Sequence, residues 1–243
     1  MNILTENMLR SALLDKNTKR YCVEAGTFVT PSAREYLKDR NIELVFGPRG
    51  KDMPCSPIED NGDNTYVDAV SGKGFSQKPE RMTHLYANRL VPKTNPRIVF
   101  RGKLDTMQAE IILAQSEASA KVMPRLVSEL DEILSATRDV LGAEVSGREL
   151  PPLKLFGLDS DELRRISHHV KENFGFQHPI PSYKMGALAA RLNLLRAITR
   201  EAELAAEFAF DEGEREDIIR TMNRLSSAVY ILFCGLLAGE YER

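Results

Sequence analysis

Three charged side chains recur at helical spacing in the segment AARLNLLRAITREAELAA, residues 189–206. At about 100° per residue, Arg196, Arg200 and Glu203 fall on one narrow side of a helix whose remaining surface is largely apolar. Guanidinium groups clamp phosphate or carboxylate oxygens through paired hydrogen bonds, and a carboxylate can orient them. The strip is therefore either a solvent-exposed face stabilised by ion pairs or one wall of an anion-binding cleft.

A second polar strip follows on the next predicted helix, which contains MNRLSSAVYILF (222–233). Its polar members share roughly one sector of an otherwise apolar helix. They are Asn223, Ser226, Ser227 and Tyr230. Two polar strips on neighbouring helices favour a cleft, because buried polar groups need mutual partners or a ligand.

Basic residues gather in a third segment, which contains TNPRIVFRGKLD (94–105). Lys93, Arg97, Arg101 and Lys103 precede or open a predicted helix that carries Asp105 near its start. The pattern indicates either a basic loop beside a helix whose aspartate suits the dipole, or a cradle for a triphosphate. The sequence contains neither GxxxxGK[ST] nor GxGxxG, which excludes a P-loop and a Rossmann-type nucleotide site.

Helices are the elements that must position these side chains. Apolar residues repeat at helical spacing in five segments of the second half of the chain. The five segments are 104–112, which ends at Ile112, then 122–134, 159–173, 184–209 and 214–238. The sequence therefore predicts a mainly α protein, built as a five-helix bundle.

Ahead of the bundle, residues 1–46 predict a small α/β appendage. RYCVEAGTFVT (20–30) is strand-like, and IELVF (42–46) is typical of a short buried strand. Between them, Thr30 and Pro31 are suited to the N-cap and the first position of a helix.

The region between the appendage and the bundle predicts little regular structure. Gly, Pro, Asn and Asp are dense over 47–66, and residues 67–97 show no clear periodicity. We therefore divide the chain into an α/β unit at 1–46, a linker or loop at 47–82 and a helical domain at 83–243.

The overall composition excludes several classes of protein. A net charge of −2 gives no global basic field for nucleic acid. The most apolar run, 225–239, is shorter than the roughly 20 residues of a membrane span and predicts a buried core helix. Three scattered cysteines without a CxxC pair or a signal peptide predict a reduced, cytoplasmic protein.

Three motifs in order give the chain a resemblance to the ATP:cob(I)alamin adenosyltransferases. NLLRAITREAE (193–203) followed by NRLSS resembles the closing motifs of that family, an RxxxRxxE helix and an NRLS helix. THLYANRLVPKTNPRIVFRGKLD (83–105) is similar to its opening motif. The serine pair, the THL start and the N-terminal VTPSAREYLKDRNIEL look most like the EutT branch, which serves ethanolamine utilisation.

The resemblance implies roles for the charged residues. Arg196 would pair with Asp105 across a subunit interface, and Arg200 would contact the triphosphate. Glu203 matches the motif glutamate, which would orient an arginine, and Asn223 matches an asparagine near the nucleotide.

Further residues are assigned by the same resemblance. Lys93 and Arg97 match basic residues of the ATP loop, while Thr83 opens the THLYAN segment that stands in place of a glycine- and threonine-rich nucleotide loop. Ser227 replaces the usual aspartate after NRLS, as in the EutT branch.

An aromatic wedge beneath the corrin ring is implied as well, because removing the lower axial ligand makes cobalt easier to reduce. In the loop ENFGFQHPIPSYKMG (172–186), Phe176 is the first candidate and Phe174 the second. His178 lies nearest the family position when residues are counted back from Pro181. Packing of these aromatics at the helix end is the alternative.

The implied activity is transfer of the 5′-deoxyadenosyl group of ATP to cob(I)alamin, with Mg²⁺ accompanying ATP. The resemblance also implies a homo-oligomer, most simply a trimer, with its site between subunits. Partners would be a reductase, an adenosylcobalamin-dependent ammonia-lyase or a microcompartment, and the location cytoplasmic or microcompartment-associated. The alternatives are a non-catalytic cobalamin carrier and a docking protein of a microcompartment enzyme.

A metal site of the kind found in well-known EutT members is not expected. Those members carry a cysteine cluster just upstream of THL, whereas the corresponding YVDAVSGKGFSQKPERMTHL contains no cysteine. Transition-metal sites with soft ligands need clustered Cys or His. We therefore predict no transition-metal site. The adjacent His168 and His169 are interpreted as surface or packing residues.

Overall fold

The computed structural model describes residues 3, 4, 6, 9, 20–24, 27–40, 42–47 and 65–242. The chain divides into two compact units, Met1–Pro92 and Lys93–Arg243. The first unit contains short strands and one described helix of nine residues, and the second contains long helices.

The first unit begins with the α/β arrangement that the sequence predicts. Its elements are β1 (Ile3–Leu4), β2 (Arg20–Glu24), β3 (Phe28–Val29), α1 (Pro31–Asp39) and β4 (Glu43–Gly47). Strand β1 pairs with β3, and β2 pairs with β4, both in parallel. Helix α1 begins as predicted, because the Thr30 hydroxyl accepts a hydrogen bond from the amide of Ala33. Ala33, Tyr36 and Leu37 then bury one face of α1 in a small core.

Residues 66–92, for which periodicity predicted no regular structure, form a four-stranded sheet. Its strands are β5 (Tyr66–Asp68), β6 (Gly74–Phe75), β7 (Met82–Tyr86) and β8 (Arg89–Pro92). They lie in the order β6-β5-β8-β7, with β5 and β8 parallel and the other neighbours antiparallel. Strands of two to five residues are too short for alternation of polar and apolar residues to be recognised.

The second unit contains all five predicted helical segments. The long helices are α2 (Pro96–Ala120), α3 (Pro124–Ser146), α6 (Ala187–Ala209) and α7 (Glu216–Leu237). A hairpin of β9 (Lys154–Leu155) and β10 (Leu158–Asp159) leads to α4 (Ser160–His168) and α5 (Val170–Phe174). The predicted helix over 159–173 is thus two helices, because His169 departs from helical backbone angles.

The centre of the helical core consists almost entirely of apolar side chains. Phe100, Leu104 and Met107 of α2 are fully buried, and α2 packs against α3 and α6. Helix α7 buries almost all of the apolar run from Leu225, which confirms the prediction of a core helix. Ile112 departs from expectation, because its side chain is 49% exposed on the outer face of α2.

Ion pairs join α2 to α6 beside this core. Arg191 donates from Nη1 to Glu110 Oε2 at 3.0 Å and from Nε to Glu117 Oε1 at 2.9 Å. Lys103 Nζ lies 2.7 Å from Glu201 Oε2. The two helices therefore present one joint outer surface.

A buried polar contact fixes the end of the chain. Tyr241 donates its hydroxyl to Glu129 Oε2 at 2.6 Å, and Arg125 Nε donates to Oε1 of the same carboxylate at 2.9 Å. Burial and the neighbouring carboxylate raise the pKa of Tyr241, so the phenol keeps its proton. The small Gly235 leaves room for the Tyr241 ring, since a Cβ there would lie 3.2 Å from its Cε2 atom.

Tyr241→Phe is expected to lower the free energy of unfolding by about 1–3 kcal/mol, because Glu129 Oε2 loses its donor in a buried site. Chemical denaturation at matched protein concentration measures the change. Tyr183→Phe is the control, since Tyr183 is 86% exposed. Equal stabilities of the Tyr241 variant and the unsubstituted protein would contradict a structural role for this contact.

Candidate functional site

Helices α4, α6 and α7, together with the loop after α5, enclose a cavity of about 370 Å³. Both polar strips of the sequence reach its wall. The lining residues of α6 are Asn193, Arg196 and Arg200, and those of α7 are Ser226, Ser227, Tyr230 and Phe233. The cleft interpretation of the charged strip is therefore the one that the structure supports.

Arg196 is held in the cavity wall by neutral groups. Its Nε and Nη2 atoms donate to Asn193 Oδ1 at 3.4 and 3.2 Å. Its guanidinium carbon lies 5.7 Å from the centre of the Tyr230 ring, within range of a cation–π contact. The positive charge is thus oriented without being neutralised.

Arg200 lies one helical turn further along α6 and is exposed. It forms no hydrogen bond or ion pair with any residue within the described parts of the chain. The cavity is lined by no carboxylate. Two arginines without an acidic partner in the wall give the cavity a positive potential, which suits an anionic ligand.

Glu203 and Asn223 connect the two strips beside the cavity. The Asn223 amide donates from Nδ2 to Glu203 Oε1 at 2.5 Å. Neither residue lines the cavity itself. Glu203 therefore contacts the asparagine of the NRLS segment rather than an arginine of its own helix.

Two histidines also line the cavity: His178, which the count from Pro181 places nearest the family's wedge position, and His168, to which sequence reasoning gave no role in a site. His178 Nδ1 lies 2.8 Å from the Tyr230 hydroxyl, and the two rings stack at 5.9 Å with 11° between their planes. His168 reaches the wall from the end of α4 and is exposed, in agreement with its interpretation as a surface residue. His169 lies outside the cavity, with its Nδ1 atom 3.6 Å from Glu172 Oε1.

Burial raises the pKa values of two side chains of α7 at the cavity, Tyr230 and Cys234. It raises the pKa of Tyr230 to about 12, and the neighbouring Cys234 adds to the effect. Burial likewise raises the pKa of the Cys234 thiol to about 11. Both groups are therefore protonated at neutral pH, and the cavity contains no thiolate from Cys234.

The basic segment before α2 is engaged in a structural contact that the sequence did not reveal. Arg97 Nε lies 2.7 Å from Oε1 of Glu144, whose side chain is fully buried at the end of α3. Arg101 Nε binds the other oxygen of the same carboxylate. Arg97 also donates from Nη2 to the Glu144 carbonyl at 3.0 Å. A buried carboxylate needs such partners, so Arg97 is bound to the protein rather than free in a loop.

The remaining predicted residues lie in different places. Asp105 is exposed on α2 and does not line the cavity. Lys93 precedes α2 and is exposed. Thr83 belongs to β7 in the first unit. The roles that the resemblance implies for these three residues stay predictions.

The two candidate phenylalanines pack away from the cavity. Phe174 and Phe176 are partly buried against the helical core, with ring centres 6.2 Å apart, and neither lines the wall. The rings that do line it are His178, Tyr230 and Phe233. His178, at the family position counted back from Pro181, lines the wall, whereas the wedge role of Phe176 or Phe174 stays a prediction.

A second cavity, of about 270 Å³, adjoins the first. The two share Pro181, Asn193 and Phe233, and the second extends toward Tyr183 and Met185. Their common wall is formed by α6, by α7 and by the loop that contains Pro181. The pair offers a polar, cationic end at Arg200 and an apolar end near Met185.

Among the residues that the structure describes, no group of three or more His, Cys, Asp or Glu side chains could hold a metal ion. A search of the same residues for a helix long and apolar enough to cross a membrane finds none.

Comparison with known proteins gives the family. The family model described as cobalamin adenosyltransferase matches residues 75–236. The chain is 31% identical to the corrinoid adenosyltransferase EutT of Salmonella typhimurium, over 95% of this chain and 91% of that protein. It is 29% identical to the EutT protein of Escherichia coli over the same shares.

A more distant relative matches a smaller share of the chain. The corrinoid adenosyltransferase PduO of Salmonella typhimurium is 26% identical over 62% of this chain and 45% of that protein. The family model covers α2 to α7 almost completely, including both arginines, the histidines and the NRLS segment of the cavity. The chain therefore belongs to the cobalamin adenosyltransferase family and is of the EutT type.

Proposed function

We propose that the cavity between α4, α6 and α7 is the site at which the 5′-deoxyadenosyl group of ATP is transferred to cob(I)alamin. The electron pair of Co(I) attacks C5′ of ATP and forms the Co–C bond. The C5′–O bond breaks, and triphosphate leaves with the electron pair of that bond. The substrate itself brings the nucleophile, so the protein needs no general base.

The observation that carries this proposal is a cavity with two arginines and no carboxylate in its wall. The leaving group is a polyanion, and charge develops on its bridging oxygen as the bond breaks. Arg200, which has no acidic partner among the described residues, would bind the triphosphate, and Arg196 would supply positive potential beside it. Tyr230, Phe233 and the prolines leave the rest of the wall apolar enough for a macrocycle.

Mg²⁺ would enter with ATP. The cavity contains no carboxylate, so the ion would be held mainly by phosphate oxygens, which are ligands that it prefers. The hydroxyls of Ser226 and Ser227 are among the neutral oxygens of the wall and would complete its shell. The chemistry that Mg²⁺ supplies is neutralisation of charge on the leaving triphosphate.

The active form that we propose is a homo-oligomer, because α2 and α6 expose a joint apolar face. Its members are Val99, Ile112 and Leu113 of α2 and Leu194, Leu204 and Phe208 of α6, each between 44% and 79% exposed. Exposed apolar side chains on neighbouring helices, interrupted here by the Lys103–Glu201 ion pair, are typical of a protein–protein contact. A second copy of the chain is the occupant that we propose.

The charges at the borders of this face suit a contact that repeats around a ring. On a helical wheel of α2, Asp105 lies roughly 120–140° from Glu110 and Glu117, which contact α6. On α6, Arg196 and Arg200 lie beyond the opposite border. Because the acid and the cations occupy opposite borders, a copy docked head to tail would bring Asp105 near the cavity of its neighbour.

Leu204→Glu is expected to dissociate the oligomer, because it buries a charge within the apolar face. Light scattering should then give the mass of one chain, 27.3 kDa, where the unsubstituted protein gives a multiple of it. Glu207→Gln, at an exposed position of the same helix outside the face, is the control. A monomeric unsubstituted protein would refute the proposed assembly.

The decisive experiment for the proposed activity is anaerobic adenosylation. With ATP, Mg²⁺ and chemically reduced cobalamin, we expect adenosylcobalamin, recognised by its absorbance and by its sensitivity to light. Binding of the corrinoid without formation of a Co–C bond would refute transfer and leave a carrier. Omitting Mg²⁺ tests its part in the reaction, because no ion then neutralises the charge on the leaving triphosphate. Assignment of the activity to ethanolamine utilisation is part of the same proposal.

A further inference from the structure

A histidine in the wall of a corrinoid cavity raises a chemical problem. Imidazole nitrogen is the commonest metal ligand of proteins, and the cobalt of a corrinoid has axial positions that a nitrogen can occupy. An axial nitrogen directs its lone pair at the orbital that must be filled when Co(II) is reduced to Co(I). A ligating histidine would therefore oppose the reaction that this family performs.

The contact between His178 and Tyr230 determines which nitrogen of the imidazole is available. A neutral imidazole has one nitrogen that donates a hydrogen bond and one that accepts. Burial raises the pKa of Tyr230 to about 12, so its hydroxyl keeps its proton and can donate to His178 Nδ1 over 2.8 Å. When the hydroxyl donates this hydrogen bond, the proton of the neutral ring lies on Nε2, and neither nitrogen has a free lone pair.

The same contact holds the ring in place. His178 stacks on Tyr230 with an interplanar angle of 11°, while the cation of Arg196 lies 5.7 Å from the centre of the Tyr230 ring. Tyr230 thus contacts both His178 and Arg196 in one wall. If the imidazole accepted a second proton, both nitrogens would be donors and again neither could ligate.

We propose that Tyr230 is a positioning residue that keeps His178 from ligating the cobalt of the bound corrinoid. The stacked pair fills the cavity wall as an aromatic surface that presents an N–H group where histidine would otherwise present a lone pair. The inference rests on the proposed function, because it takes this cavity to be the corrinoid site. It assigns a role to a hydrogen bond of this chain between residues 52 positions apart.

The first test examines the protein without any corrinoid. In ¹⁵N-histidine-labelled protein, NMR should show His178 with its proton on Nε2, and the His178→Phe variant assigns the signal among the four histidines. In Tyr230→Phe, a mixture of tautomers should replace the single form. A proton on Nδ1 in the unsubstituted protein, or an unchanged tautomer in Tyr230→Phe, would overturn the proposal independently of any activity.

The second test uses cob(II)inamide, which lacks a nitrogenous base of its own, so that any axial nitrogen must come from the protein. Bound with ATP and Mg²⁺ to the unsubstituted protein, it should give an electron paramagnetic resonance spectrum without axial nitrogen splitting. In Tyr230→Phe, each cobalt line should split into a triplet from one axial nitrogen. When a chemical reductant is added to convert Co(II) to Co(I), the adenosylation rate of this variant should fall about tenfold, the scale of one hydrogen bond.

The double variant Tyr230→Phe/His178→Phe separates ligation from loss of packing. It should lose the nitrogen splitting and recover most of the rate, although it lacks both polar groups. Absence of splitting in Tyr230→Phe, or a rate that stays low in the double variant, would overturn the proposal. If the unsubstituted protein forms no adenosylcobalamin, the proposed function fails, while the NMR result still decides the tautomer.

Discussion

Replacing Glu144 with alanine is expected to lower the free energy of unfolding by about 3 kcal/mol, at the lower end for a broken buried pair. The carboxylate is fully buried and binds Arg97 and Arg101, whose side chains remain 25% and 18% exposed. Without it, two guanidinium groups face each other with no acid between them. Their partial contact with water keeps the effect at the lower end of that range.

Chemical denaturation measures this loss, and two variants define its origin. Glu149→Ala removes an exposed carboxylate close by in the chain and should change stability by less than about 0.5 kcal/mol. Glu144→Gln keeps the shape of the side chain and loses its charge, so its loss of stability should lie between those of Glu144→Ala and Glu149→Ala. A Glu144→Ala protein as stable as Glu149→Ala would show that the two arginines need no acid, and that Arg97 could serve a ligand as the family resemblance implies.

Replacing Arg200 with alanine is expected to weaken ATP binding about 30-fold, since one charge-assisted contact to a phosphate contributes roughly 1.5–3 kcal/mol. Corrinoid affinity should change by less than about twofold, because Arg200 has no partner among the described residues whose loss would disturb the fold. Calorimetry with ATP and, separately, with cobalamin measures both affinities.

Arg138→Ala, at an exposed arginine of α3 outside the cavity, is the matched control and should leave both affinities unchanged. Arg200→Lys should recover part of the ATP affinity, because it restores the charge without the paired geometry. Equal losses of ATP and corrinoid binding in Arg200→Ala would indicate that Arg200 supports the fold instead of the nucleotide.

Periodicity predicted the helices and the meeting of the two polar strips because both are local features. Arg196 and Arg200 share a face by their spacing alone, and so do Ser226 and Tyr230 on the next helix. The apolar residues on the remaining faces of α6 and α7 then determine which sides of these helices are buried. The cavity wall follows from these local patterns once α6 and α7 pack together.

Contacts between distant segments could not be predicted in the same way. Glu144 lies 47 residues from Arg97, and an isolated glutamate near a helix end gives no sign that it will be buried. His178 meets Tyr230 only because the loop after Gly175 folds over α7. Ile112 fits the helical period and yet faces outward. Helix α2 has apolar residues on both its buried and its exposed side, and the sequence pattern does not distinguish the two sides.

The cationic cavity also links the stability of the empty protein to its ligand. Arg196 and Arg200 are like charges one turn apart on α6, which disfavours the helix by a few tenths of a kcal/mol when no anion lies between them. An anion that binds the folded state alone stabilises it, by about 2.7 kcal/mol at a hundredfold excess over its dissociation constant. The protein should therefore resist heat and proteolysis best when nucleotide is plentiful, so that its lifetime in the cell follows the supply of its own substrate.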